Sequence, residues 1–146
     1  MKRRKFPVVR GREGYRARAA AIVEFAVVLP LLLTILFGVI EYGWVFMVRQ
    51  TLQNAAREGC RQAILQTSVP PYTNVTDRIN EVLAPTGLTP AEVTVTMTHA
   101  TPGDPVETVV ISVPRTEVSL VGGFFGISGG TLTASTSMRK EGIGGG

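Results

Sequence analysis

Between Arg18 and Arg49 the chain runs for thirty residues with only two charges, Glu24 and Glu41. Phe25 to Ile40, "FAVVLPLLLTILFGVI", is apolar almost throughout, and Ala19 to Val23 extend it towards the N-terminus. About twenty apolar residues rising 1.5 Å each match the roughly 30 Å hydrocarbon core of a bilayer. The run therefore predicts one transmembrane helix, and any folded domain must be built from the residues C-terminal to it. Pro30 need not end that helix, because a membrane helix can absorb the lost hydrogen bond in a local kink. A secretory signal would share the basic start, but its apolar region is shorter and a small-x-small site should come after it. Here the chain continues "EYGWVFMVRQ". Tyr42, Trp44 and Phe46 read as an interfacial aromatic belt.

The charge distribution gives this span a direction. Lys2, Arg3, Arg4, Lys5, Arg10, Arg12, Arg16 and Arg18 precede it, against a single acid, Glu13. The positive-inside rule then keeps residues 1–18 in the cytoplasm and places residues 49–146 outside it, with 19–48 spanning. From Arg49 onward seven basic residues face eight acidic ones. The net charge of +4 thus belongs to the leader. A nucleic-acid surface needs basic residues across a folded face, so no nucleic-acid partner is expected, whereas membrane lipid is.

Helical periodicity continues past the span. In "RQTLQNAAREGCRQAILQ" the residues Val48, Leu52, Ala55, Ala56, Gly59, Cys60, Ala63 and Ile64 fall on one stripe. One continuous helix is expected from about Ala20 to Leu65. Its small-residue stripe suits close approach, either to a partner helix or to the chain's own head. Cys60 lies in that stripe, as a packing residue or as half of an intermolecular disulfide.

The head reads as α+β. Asn74 to Asp77 resemble a capping box opening a short helix, with Val75, Ile79, Val82 and Leu83 on its apolar face and Pro85 and Gly87 at its end. The period then changes to two. Val93–Thr98, Val106–Val113 and Thr131–Lys140 read as three strands, with "ATPGDP" as a turn and Pro114 as a stop, giving a three-stranded antiparallel sheet against helix. Phe124, Phe125 and Ile127, in a glycine-rich stretch, are expected to dock on the head, on membrane or on a neighbouring subunit. "GIGGG" is expected to be a flexible end.

Catalytic and metal chemistry find no support. The head has no GxSxG, P-loop or HExxH pattern, and the single cysteine and single histidine give no conventional zinc spacing. His99 reads as a plain surface histidine. An enzyme is not expected, nor is any cofactor.

Glu24 is the residue that composition leaves unexplained. A carboxylate near the start of an apolar helix is costly unless something neutralises it. It could snorkel to the cytoplasmic headgroups beside Arg18. Glu41, at the outer interface, is expected to need no partner beyond water.

The segments "AAAIVEFAVVLPLLL", "FGVIEYGWVFMVRQTLQNAAREG" and "TLTASTSMRKE" resemble the TadE-like family of minor pseudopilins from bacterial tight-adherence (Flp-type, type IVb) pilus systems. The resemblance is close over about Ala19 to Ala63 and weaker at the C-terminus. It implies a pilin-like protein of the bacterial inner membrane, a minor pseudopilin or assembly factor. The implied partners are other pilins, an inner-membrane pilus platform and a prepilin peptidase. In that family a membrane peptidase cuts after a residue that is usually glycine and leaves glutamate fifth. Carried over, Ala19 takes the glycine's place, Ala20 becomes the first mature residue, Glu24 the fifth and Phe25 the sixth. The new α-ammonium of Ala20 would share a helix face with Glu24 at i, i+4, so that the two charges, or those of neighbouring helices, could pair, and Glu24 would lie in the first helical turn, where the dipole favours an acid. The alternative from another class is a membrane-tethered extracytoplasmic binding module unrelated to pili.

Overall fold

A computed structural model describes residues 11–65, 70–121 and 129–141. The architecture is α+β: one long helix, one short helix and a three-stranded antiparallel sheet. The chain divides into two units, Met1–Val39 and Ile40–Gly146.

Helix α1 spans Gly11–Ala63, 53 residues. It starts well before the expected Ala20 and passes through Pro30 as helix. Over residues 22–40 its large apolar side chains are exposed, apart from the half-buried Leu29. The most apolar 18-residue window has a mean hydropathy of 2.6, with none of it buried. Its length and composition make it a candidate membrane span, left exposed among the described residues. Within it the Thr34 hydroxyl donates to the Pro30 carbonyl at 2.8 Å, so a polar group in an apolar setting is satisfied inside its own helix.

Beyond Ile40 the helix changes role. Val48, Leu52, Ala55, Ala56, Cys60 and Ala63 are essentially inaccessible and join the core of the head. Gly59 is buried as well, while Ile64 is half-buried. The expected stripe therefore exists, and the chain's own head covers it.

Helix α2 runs Thr73–Leu83 and buries Val75, Ile79 and Leu83. Its start corrects the capping-box expectation. Tyr72, not Asn74, precedes the first turn, in the left-handed region at φ 59°, with no side-chain cap. The Tyr72 carbonyl accepts the N–H groups of Val75 and Thr76. Tyr72 is held by a tertiary contact, a ring stack on His99 with centroids 4.2 Å apart. A 3-10 turn, Ala84–Thr86, and Gly87 at φ 76° end the segment, the usual left-handed glycine stop.

Strands β1 (Thr94–Thr98), β2 (Val106–Pro114) and β3 (Thr131–Arg139) form a meander in the order β1-β2-β3. Pro114 is the last residue of β2 and pairs with Thr131 rather than stopping the strand before it. The register lines up Val95, Ile111 and Ala134 on the inner face, and Thr94, Ser112 and Thr133 on the outer one. Alternate residues of a strand point to opposite faces. Accordingly Val109, Ile111, Val113 and Ala134 are buried in the shared core with α1 and α2. Gln53 of α1 donates to the Ser135 carbonyl and to Thr136 Oγ1, both at 3.1 Å, which ties the helix to β3. Phe124, Phe125, Ile127 and the terminal glycines lie outside the described residues.

Candidate membrane anchor and its junction with the head

The residues expected to carry processing and assembly, Ala19, Ala20, Glu24 and Phe25, all lie within α1 and are all exposed. The bond between Ala19 and Ala20 is embedded in helix, because α1 already begins at Gly11. Glu24 is therefore not in the first turn of α1 in the uncut chain. Dipole stabilisation of its charge, which fades beyond the terminal turn, arises only in a chain beginning at Ala20. Thus α1 places these residues on one rod but does not create the terminal charge that Glu24 would meet.

Glu41 departs from expectation. Instead of facing water alone, its Oε2 accepts the backbone N–H groups of Leu120 at 3.0 Å and Val121 at 3.1 Å. Carboxylate–amide bonds of this kind are stronger than neutral ones. The connection leaving the 3-10 turn Arg115–Glu117 is thereby tied to α1 just past its apolar stretch. The aromatic belt is also redistributed. Tyr42 and Phe46 are exposed, but Trp44 packs against the head core.

A second polar cluster sits where β1, β2, α1 and the start of α2 converge. The Glu107 side chain is only 2% accessible. Its Oε1 lies 2.6 Å from His99 Nδ1, and its Oε2 accepts the Ala100 N–H at 2.8 Å. A buried carboxylate is tolerated only when so satisfied. His99 is therefore an oriented residue, bonded on one side and stacked on Tyr72, rather than a plain surface histidine. The Cys60 thiol donates to the Glu107 carbonyl at 3.3 Å. Cys60 is completely buried, and burial pushes its pKa above the ordinary thiol value. This is a packing residue with its thiol engaged, out of reach of an intermolecular disulfide in the folded head.

Sequence reasoning missed Glu107 and Glu41 as organising residues. The only local signal for Glu107 was an acid at a position where strand alternation places an inward side chain. No group of three or more potential metal ligands occurs among the described residues.

An exposed apolar helix that becomes the core helix of a small α+β head defines a class: a small α+β protein with one candidate membrane-spanning helix among its described residues. Residues 19–61, under a third of the chain, match the family model described as TadE-like protein. The match covers the candidate span, the junction and most of the buried stripe. Comparisons with curated proteins and with solved structures give no match.

Proposed function

We propose that this chain is a pilin-like inner-membrane protein that takes part in assembling a tight-adherence pilus, as a minor pseudopilin or assembly factor. One observation carries the reading. The segment similar to the family, residues 19–61, is the segment that is apolar and uncovered below Ile40 and packed into the head above it. An α-helix shared between lipid and head is how such a subunit can be held in a membrane before assembly and bundled with other helices during it. Orientation is assigned from the basic leader: N-terminus cytoplasmic, head extracytoplasmic.

In this reading a prepilin peptidase cuts between Ala19 and Ala20, and the new ammonium is neutralised by Glu24, in the same chain or in a neighbour. The enzyme must first open the first turns of α1, since the bond is helical in the uncut chain. Intact-mass measurement of the membrane-extracted protein tests this directly. A chain starting at Ala20 supports processing, whereas one starting at Met1 in pilus-forming cells removes it and leaves an uncut assembly factor. Glu24→Ala is expected to leave the protein in the membrane and the head folded while surface pili are reduced or lost. Unchanged pilus yield would favour a tethered binding module instead.

A further inference from the structure

We infer that the base of the head, at Leu120, forms a second contact with the lipid surface, held there by Glu41. This rests on the span being in the membrane. The apolar stretch of α1 ends at Ile40, and Glu41 is the next residue. Through its Oε2, Glu41 holds the backbone of Leu120 and Val121 at 3.0 and 3.1 Å. Leu120 is thus fixed within one side chain's reach of the level at which the helix leaves the hydrocarbon.

At that level Leu120 is 54% exposed, although the neighbouring Val118 is buried in the head. A single exposed leucine needs no explanation in general. This one is placed by two charge-assisted bonds from the residue that marks the membrane boundary. Within two turns along α1, Tyr42, Phe46 and Met47 are also exposed. Exposed apolar surface thus occurs both on the helix exit and on the connection tied to it. A bilayer already surrounding the span covers that surface at no additional encounter cost, and aromatic side chains are favoured at that depth. The bonds also offset the charge of Glu41: its carboxylate meets backbone donors where it would otherwise face headgroups alone. Glu41 is in this sense a positioning residue, orienting Leu120 towards lipid.

The test uses the full chain in nanodiscs of phosphatidylcholine and phosphatidylglycerol, in a Cys60→Ala background. Single nitroxide labels are placed through Ile35→Cys, Leu120→Cys and Thr94→Cys. Collision rates with oxygen, which concentrates in lipid, and with a water-soluble nickel chelate report depth. The label at 35 should read as deep lipid, that at 94 as water and that at 120 as the interface. Adding Glu41→Ala should shift position 120 to the value at 94, with the far-UV spectrum and melting of the head retained. If that variant fails to fold, Glu41→Gln, which keeps one acceptor, should give an intermediate shift. A water-like reading at 120 beside a lipid-like one at 35 overturns this inference and leaves the anchor standing. A water-like reading at both overturns the anchor as well. Exclusion of both reagents at 120, relieved by diluting labelled with unlabelled protein, would mean a second copy covers it, and would overturn the lipid assignment. A lipid-like 120 unmoved by Glu41→Ala would overturn the positioning role.

Discussion

A β-carbon placed on Gly59 would lie 2.7 Å from both Cγ1 and Cδ1 of Ile79. Glycine here is a packing requirement, letting α2 approach α1 across a space too narrow for a methyl group. Gly59→Ala would gain about 1 kcal/mol of helix propensity and lose roughly 1–3 kcal/mol to overpacking. Lower thermal stability of the head is expected, partly restored by adding Ile79→Val; a double-mutant cycle measures that coupling. Cys60 gives a pH dependence of known sign. Its thiol is held above its ordinary pKa by burial, so the folded head retains that proton more tightly than the unfolded chain. The associated stability is whole below about pH 8.5 and falls as pH rises through the folded value. Melting measured from pH 7 to 10 should show a downward slope that Cys60→Ala flattens, and a thiol reagent at pH 8 should react only as the head unfolds. Glu107→Leu removes the acceptor for the Ala100 N–H and the partner of His99. An unpaired buried donor costs about 1–3 kcal/mol, while the 41% exposed His99 can turn to water. A melting temperature that does not fall would argue against the cluster's structural role.

Element boundaries were set where local preference met tertiary contact. The start of α2 shows this most directly. Asn74 and Asp77 offered a capping box, yet the helix begins at Thr73 because Tyr72 is held in a left-handed backbone beneath the ring of His99. Left-handed backbone costs a residue with a β-carbon roughly 1–2 kcal/mol, and glycine little. Tyr72→Ala keeps that strain and loses the ring, whereas Tyr72→Gly loses only the ring. The head should therefore melt lower with alanine than with glycine, and the reverse order would show that residue 72 does not keep its left-handed backbone once the ring is gone. The strands were easier to read. Alternation of Thr with apolar residues in "VTVTMT" survives as alternating exposure, and β2 alternates likewise with Glu107, Val109, Ile111 and Val113 inward.

For the whole molecule, the central feature is one helix with two environments. Its apolar part below Ile40 is uncovered, and its small-residue stripe above is covered by α2 and the sheet. Ile35→Arg probes the first environment alone. An arginine at the centre of a span costs about 3 kcal/mol on insertion scales, so the membrane fraction after cell lysis should fall while the head's melting temperature stays unchanged. A fall in head stability would mean that residue 35 is not simply facing lipid.

The linear order of residues was enough to determine the apolar run, its flanking charge, the stripe from Val48 to Ala63 and the change of period into the head. Each is a repeating pattern in which neighbouring residues reinforce one another, so the chain signals it locally. Only the tertiary structure decided what becomes of the isolated acids. Glu107 is tolerable inside the head because His99 and the Ala100 backbone reach it. Glu41 is engaged because a strand connection 79 positions away in sequence returns to it. The free energy of a lone carboxylate depends on the groups folded around it, and no local pattern records which remote segment will supply them.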